Sequence, residues 1–396
     1  MVAVEDQNKG ILKMFGEKIL LKMADFWDEG IMTSLVGDVA LSDIQRKVLN
    51  GDRLSREDGL RLIKCDNILF MGYLARHANE KKNGNYAFFN VNKHINLTNV
   101  CVSRCSFCAF SKDREDPDAY TMTIDQVVED ALDAVPLNIT ELHVVSGLHP
   151  DLPFDYYVEI VERLKDALPD IHIQAFTAVE IFYFSEISGL SVEDVLKTLK
   201  KAGLGSLPGG GAEIFSPRVR SRVCPKKATG PEWLHVMRTA HNLGLKSNAT
   251  MLYGHIETPE ERIDHLIEIR KLQDETGGFQ SFIPLSFHPW NTALSGLSKP
   301  SAFEDLKMLA LSRLILDNFD HIKAFWIMIG LKVAQLSLDF GVDDLDGTIV
   351  EEKITHSAGA QTGQSIEKNQ LTGLIKEMGR VPVERDTLYN KLHIYD

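Results

Sequence analysis

The stretch His94-Ile-Asn-Leu-Thr-Asn-Val-Cys101-Val-Ser-Arg-Cys105-Ser-Phe-Cys108 joins a short apolar segment to three closely spaced cysteines. Its first four residues predict a β-strand, and the cysteines follow in a loop. Three thiolates within eight residues can surround one soft metal centre. They are one ligand short of a closed structural zinc site, and they suit a cluster of four irons and four sulfides with one iron left open. The alternatives are a cysteine-rich turn without a metal and a zinc site completed by a nearby histidine.

Strand and helix patterns alternate from this stretch to about residue 350. Helix start signals such as Thr123-x-x-Gln126 and Thr258-Pro-Glu-Glu261 occur between the apolar runs. Such alternation predicts a parallel sheet covered by helices, and eight strands favour a closed (β/α)8 barrel of TIM type over a doubly wound open sheet. The candidate strands are 94–97, 141–146, 171–176, 204–207, 247–253, 279–287, 322–327 and, more weakly, a segment around Val342.

Three parts are expected along the chain. Residues 1–90 form a helical N-terminal extension, in which Ser55-Arg-Glu-Asp58 resembles a capping box. Residues 91–350 form the barrel. Residues 351–396 form a segment that closes the barrel and ends in a helical tail from about Ser365.

The composition narrows the possible classes of protein. With 396 residues, 44% of them hydrophobic and 25% charged, the chain is globular, and its net charge of −13 argues against binding to nucleic acid. Five cysteines, an odd and low number, indicate a reducing compartment, and Cys65 and Cys224 lie far from the triplet. The longest apolar run, 324–331, is too short to span a bilayer, and residues 1–10 lack the apolar core of a signal peptide. We therefore expect a cytoplasmic protein that does not insert into membranes.

Polar groups follow several candidate strands, at the barrel end where active sites form. Ser146 and Gly147 follow the second strand, Glu180 follows the third, and Pro208-Gly-Gly-Gly-Ala-Glu213 follows the fourth. Glu180 can equally cap a helix. The glycines match neither a dinucleotide fingerprint nor a P-loop, so they either let the backbone approach a ligand or simply form a tight turn.

Two histidines also adjoin strand ends, each beside a turn-forming residue. His255 follows Gly254 after the fifth strand, and His288 precedes Pro289 after the sixth. Each is a candidate catalytic residue, with a structural role as the alternative.

The cysteine spacing Cys-x3-Cys-x2-Cys, with Phe107 before the last cysteine, resembles the signature of the radical S-adenosylmethionine superfamily. The resemblance implies that Cys101, Cys105 and Cys108 hold a 4Fe-4S cluster whose open iron binds S-adenosylmethionine. An external one-electron reductant would then allow release of a 5′-deoxyadenosyl radical. It further implies cofactor contacts from Phe107 and from the backbone of Ser146 and Gly147. Because Glu180 and Glu213 follow strand ends on the face that carries the cysteine loop, we expect their carboxylates to accept from the cofactor's amine or ribose.

Longer strings resemble one group within the superfamily, the aminodeoxyfutalosine synthases of menaquinone synthesis, over about residues 40–390. They are the segments from Leu207 to Arg220, from Ser247 to Glu261 and from Phe287 to Thr292. The resemblance implies a transferase that adds the radical to 3-((1-carboxyvinyl)oxy)benzoate, an aromatic enol ether with two carboxylates. His255 and His288 would lie near this substrate, and Arg218 or Arg220 would anchor a carboxylate. The related dehypoxanthine futalosine cyclases and deazaflavin-precursor synthases are the alternatives.

Overall fold

Three helices precede the barrel in this computed structural model, which describes residues 39–349 and 351–395. They are α1 (Ser42–Asn50), α2 (Arg56–Ile63) and α3 (Ile68–Asn83), and strand β1 (Tyr86–Asn90) follows them. The capping box predicted at Ser55 is present, because Ser55 and Asp58 bond to each other's backbone N–H. The helical pattern predicted for residues 1–38 lies outside the described residues.

Seven parallel strands in sequence order form the main sheet. Inward-facing residues of most of these strands line one common cavity, so the sheet is curled into an incomplete barrel. The predicted α/β barrel fold is confirmed. The strands are β2 (Asn92–Asn96), β3 (Glu141–Val145), β4 (His172–Ala175), β5 (Ser206–Leu207), β6 (Lys246–Tyr253), β7 (Phe279–Ser286) and β8 (His321–Ile322).

Helices between these strands cover the outside of the barrel. The capping boxes predicted at Thr123 and Thr258 are both present, and each satisfies backbone N–H groups at a helix start. The helices are α4 (Ile124–Asp133), α5 (Phe154–Ala167), α6 (Ala178–Ser188), α7 (Val192–Ala202), α8 (Pro217–Val223), α9 (Gly230–Asn242), α10 (Pro259–Thr276) and α11 (Ala302–Ile315). None of the helices within the described ranges is long and apolar enough to cross a membrane.

A second, four-stranded sheet has the order β11-β10-β1-β9. Strand β1 pairs in parallel with both of its neighbours, and β11 is antiparallel to β10. The additional elements are α12 (Trp326–Ile329), α13 (Leu331–Ser337), β9 (Asp344–Gly347), α14 (Ile354–Ser357), α15 (Lys368–Glu377), β10 (Val381–Arg385) and β11 (Lys391–Ile394). The predicted helical tail is thus helical only in α15, and two strands complete it.

The eighth strand, predicted near Val342, is β9, and it belongs to the second sheet. It touches the barrel sheet through a single parallel bridge between Lys323 and Asp344. Two buried ion pairs hold it: Asp343 accepts from Arg313 at 2.6 Å, and Asp344 accepts from Arg385 at 2.6 Å. The barrel sheet therefore has seven strands, and β9 joins it to the second sheet.

Candidate active site

One cavity of about 330 Å³ occupies the interior of the barrel. Its wall contains most of the site residues that the sequence predicts. They are Cys101, Cys105, Phe107, Cys108, Ser146, Gly147, Glu180, Glu213 and His288. Parallel strands end at the same edge of a sheet, so groups far apart in the chain meet here.

The cysteine loop, residues 101–108, is fixed against the end of β3. Cys101 N–H donates to the Lys112 carbonyl at 3.2 Å, and Val102 N–H donates to the Leu148 carbonyl at 3.0 Å. Gly147 is needed for this contact, because a Cβ there would lie 2.3 Å from the Val100 carbonyl oxygen. All three cysteines are free thiols in the wall of the same cavity.

Burial controls the ionisation of two of these thiols, those of Cys105 and Cys108. It raises the pKa of Cys105 to about 12 and also raises the pKa of Cys108, while the nearby Lys227 ammonium opposes both shifts. The thiols of Cys105 and Cys108 therefore remain protonated at neutral pH until a metal displaces their protons.

The donor set fits an iron–sulfur cluster better than a single metal ion. Three soft sulfur donors share one cavity wall, as a sulfide-bridged cluster requires. Within residues 39–349 and 351–395, no three His, Cys, Asp or Glu side chains converge as ligands of one ion. The zinc alternative, three cysteines and a histidine, therefore has no support in the geometry.

Glu180 connects the ends of β3 and β4. One carboxylate oxygen accepts from Ser146 N–H at 2.7 Å, and the other accepts from Thr177 N–H and the Thr177 hydroxyl, both at 2.7 Å. The contact with the Thr177 N–H belongs to a capping box that starts α6, so the helix-cap alternative is present. Burial raises the pKa of Glu180 to about 7. Two groups that the sequence predicts as cofactor contacts, the Glu180 carboxylate and the Ser146 N–H, therefore bond to each other in the cavity wall.

An ion pair that sequence reasoning missed lies beside the cysteine loop. Lys227 Nζ is 2.6 Å from Glu213 Oε1, and the two side chains are 17% and 8% exposed. Nζ also lies 5.3 Å from the centre of the Phe107 ring. Burial disfavours both charges, but the attraction between the two groups outweighs it. Lys227 lowers the pKa of Glu213, and Glu213 raises the pKa of Lys227. In sequence, Lys226-Lys227 has the pattern of an ordinary surface pair.

His288 presents an unpaired nitrogen in the cavity wall. Its Nε2–H donates to the Met328 carbonyl at 2.8 Å, and Nδ1 is buried with no partner among the described residues. Burial lowers the pKa of His288 to about 4. The ring is therefore neutral, and Nδ1 is a hydrogen-bond acceptor.

The other predicted substrate-binding residues lie outside the cavity wall. His255 contacts Glu257 at 3.0 Å and the Leu252 carbonyl at 3.1 Å. Arg218 pairs with Glu261 at 2.5 Å. Arg220 donates to the carbonyls of Ala212, at 2.7 Å, and Ala228. Both arginines are thus occupied by contacts within the protein, and the structure does not support the prediction that one of them anchors a substrate carboxylate.

The glycine run serves the packing of the chain on itself. A Cβ on Gly209 would lie 2.8 Å from the backbone of Ala249 in β6, and Gly211 has a φ of +83°. The glycines therefore allow the end of β5 to approach β6 and turn sharply. The tight-turn alternative accounts for them, although all three also border the cavity.

Sequence reasoning also missed the cavity floor, a set of six polar residues in the part of the cavity wall that the strands form. Its members project inward from several strands or directly follow them. Polar residues at every second position, as at Asn248 and Thr250 in β6, are the sequence signal for such a wall. The cavity floor consists of His94, His143, Gln174, Asn248, Lys323 and Asp346.

Comparisons with known proteins agree on the family. The profile of the radical SAM superfamily matches residues 95–269, and that of the CofH/MqnC C-terminal region matches residues 276–396. The chain is 45% identical to an aminodeoxyfutalosine synthase of Thermus thermophilus, over 91% of this chain and 98% of that one. It is 43% identical to a 5-amino-6-(D-ribitylamino)uracil–L-tyrosine 4-hydroxyphenyl transferase of Methanopyrus kandleri, over 81% of this chain and 88% of that one.

Two solved structures share the fold. Methylornithine synthase superimposes with a TM-score of 0.68 at 18% identity, covering 85% of this chain and 96% of the other. The FeFe-hydrogenase maturase HydG of Carboxydothermus hydrogenoformans superimposes with a TM-score of 0.68 at 17% identity, covering 94% and 86%. At these identities the likeness concerns the fold alone.

Proposed function

Because this chain belongs to the radical S-adenosylmethionine superfamily, among the members with a CofH/MqnC C-terminal region, we propose that it is an aminodeoxyfutalosine synthase. Its cofactors are those of the family, a 4Fe-4S cluster and S-adenosylmethionine. The proposed reaction joins the 5′-deoxyadenosyl group to the vinyl carbon of 3-((1-carboxyvinyl)oxy)benzoate, releases the carboxyl group of the vinyl unit as bicarbonate or carbon dioxide, and yields 6-amino-6-deoxyfutalosine. The observation that carries the proposal is the single cavity that three free thiols share with an apolar wall and a polar floor.

The proposed cluster ligands are Cys101, Cys105 and Cys108. When bound, the cluster supplies the electron, taken from an external reductant, that cleaves S-adenosylmethionine to methionine and a 5′-deoxyadenosyl radical. Three thiolates bring negative charge into a buried site, and the Lys227 ammonium beside Cys105 offsets part of it. Glu213 keeps Lys227 charged and in place.

The rest of the wall positions the substrate and excludes water. Leu252, Ile283, Leu285 and Phe287 make the side of the cavity apolar, so they contribute no exchangeable proton and admit little solvent. Addition to a double bond needs close approach of two carbons more than it needs an acid or a base. The neutral His288 ring, with Nδ1 as acceptor, adds a directional contact in the same wall.

The choice of substrate is supported by the relatives. The synthases of Thermus thermophilus and Streptomyces coelicolor are both 45% identical to this chain, and the alignments span 98% and 94% of their lengths. One observation favours a second candidate, the 4-hydroxyphenyl transferase activity named for the archaeal relatives. The cavity is lined by two lysines and five carboxylates, a balance that suits an uncharged substrate better than a dicarboxylate.

The test compares substrates on one preparation. Cluster-loaded protein, handled without oxygen, receives S-adenosylmethionine, a strong reductant and one of three substrates: the enol ether, 5-amino-6-(D-ribitylamino)uracil with L-tyrosine, or dehypoxanthine futalosine. Mass spectrometry of the enol-ether mixture should show aminodeoxyfutalosine and one methionine per product. Free 5′-deoxyadenosine with an unaltered enol ether would contradict the proposal. Turnover of the uracil with tyrosine would establish the second candidate, and turnover of dehypoxanthine futalosine would establish a cyclase.

A further inference from the structure

The cavity floor is built by strand register. Parallel pairing places His94 beside His143, His143 beside Gln174, Gln174 beside Ser206, and Asn248 beside Ser281. Layers of this kind in (β/α)8 barrels are usually filled by bulky branched residues. Here four of these polar side chains, those of His94, His143, Gln174 and Asn248, border open space instead.

Hydrogen bonds among these side chains fix their orientation. Gln174 Oε1 accepts from His143 Nδ1 at 3.1 Å and from Asn248 Nδ2 at 3.4 Å, and the Ser281 hydroxyl donates to Asn248 Oδ1 at 2.9 Å. Asn92 Nδ2 donates to His94 Nε2 at 3.4 Å, which leaves His94 with its proton on Nδ1. Among the described residues that Nδ1–H has no hydrogen-bond acceptor. The floor therefore offers an oriented donor to a ligand.

The two floor histidines form a flat, uncharged surface. Their rings are stacked, with centroids 4.5 Å apart and an interplanar angle of 15°. Burial lowers the pKa of both, so both are neutral near pH 7. Such a surface suits a planar ring in the ligand.

Lys323 supplies positive charge at this end of the cavity. Its Nζ is 2.8 Å from Asp346 Oδ1, and the two side chains are 7% and 9% exposed. An ammonium carries three N–H donors, so donors other than the one that faces Asp346 remain for a ligand. Lys227, the other lysine in the wall, lies beside Phe107 of the cysteine loop and is held by Glu213.

We propose that Lys323, together with the His94–His143 stack, is the anchor subsite for the ring-borne carboxylate of an aromatic acid. The inference rests on the proposed function and assigns the substrate an orientation. The reacting vinyl carbon must face the cysteine loop, so the far end of the molecule, the benzoate carboxylate, reaches the floor. There Lys323 and His94 Nδ1–H donate to its two oxygens, and the ring lies against the imidazoles.

Fragment binding tests the subsite without turnover. Calorimetry on cluster-loaded protein measures 3-hydroxybenzoate, which carries the carboxylate, against phenol, which lacks it. Lys323→Met should weaken 3-hydroxybenzoate binding by about 10- to 100-fold, the usual range for a hydrogen bond to a charged group, and leave phenol binding unchanged. With the enol ether, KM should rise by a similar factor while kcat changes little, because the contact is the same in the ground and transition states.

A matched variant separates binding from structural damage. Asp346→Asn removes the residue that competes for Lys323, so 3-hydroxybenzoate should bind as tightly or more tightly. A purely structural role for the pair would weaken binding in both variants.

A double variant, Lys323→Met/Asp346→Asn, covers the case in which Lys323→Met does not fold. It leaves no unpaired charge of this pair in the floor, and it should also bind 3-hydroxybenzoate weakly. Unchanged affinity in both Lys323→Met proteins, or no binding by the unaltered protein, would overturn the inference. Failure of the unaltered protein to convert the enol ether would instead count against the proposed function.

Discussion

Glu213 and Lys227 form an ion pair, 2.6 Å from Oε1 to Nζ, in the cavity wall beside Cys105. Glu213 follows β5 and Lys227 precedes α9, so the pair connects two loops at the carboxyl end of the barrel. A lysine buried without a partner would lose its proton, and the carboxylate prevents this. The wall therefore keeps a positive charge close to the thiols, where an anionic ligand set needs it.

Removing either partner of this pair should destabilise the protein more than removing both. Lys227→Met leaves Glu213 as an unpaired buried charge, which typically costs about 3–5 kcal/mol, whereas Lys227→Met/Glu213→Gln leaves none. Urea unfolding of the cluster-free proteins measures the difference. If the double variant is no more stable than Lys227→Met, the two charges do not stabilise each other.

Replacing any one of Cys101, Cys105 or Cys108 by Ala should abolish iron retention and cofactor cleavage, because two thiolates cannot hold the cluster. Iron and sulfide analysis after anaerobic reconstitution measures the loss. Cys65→Ala and Cys224→Ala are the matched controls, since both cysteines are buried and neither lines the cavity. Full activity in Cys105→Ala, or loss of iron in Cys224→Ala, would contradict the ligand assignment.

Glu180 should make stability fall as the pH rises from about 4.5 to 7. Its ordinary pKa is 4.5, and burial raises the value in the folded protein to about 7. In that interval the unfolded chain has released the proton that the folded protein still holds. The free energy of unfolding therefore falls as the pH rises. The free energy of unfolding, measured with urea at several pH values, should lose this fall between pH 4.5 and 7 in Glu180→Gln. Parallel profiles would show that Glu180 ionises normally in the fold.

The Arg313–Asp343 pair should be essential for holding β9 against the barrel. Both side chains are 0% exposed and lie 2.6 Å apart. Arg313→Met leaves the buried Asp343 carboxylate with only the His321 ring and the Ile322 N–H as partners, and should cost about 3–5 kcal/mol. The control is Arg238→Met, which breaks an exposed pair with Glu275 and should cost less than about 1 kcal/mol. Denaturant unfolding compares the two variants. Equal losses would mean that burial of the first pair has no energetic consequence.

The amino-acid sequence by itself determined the features that depend on neighbours along the chain. The alternation of strands and helices, the capping boxes at Ser55, Thr123 and Thr258, and the cysteine spacing are all local patterns. A capping box needs two residues three apart, and a cluster loop needs three thiols within eight positions. The class of fold and the type of cofactor followed from them.

Only the tertiary structure decided which polar groups meet. Arg218 and Arg220 can each bind a carboxylate in principle. In the structure, however, Arg218 pairs with Glu261, and Arg220 donates to backbone carbonyls. Lys323 has no distinguishing local pattern, yet strand order places it in the cavity floor with His94, more than 200 residues earlier in the chain. Strand β9 pairs with β1 because buried ion pairs with Arg313 and Arg385 hold it there. Closure of the barrel brings such residues together from distant parts of the chain and removes them from water. Their pairing therefore cannot be predicted from neighbouring residues in the sequence.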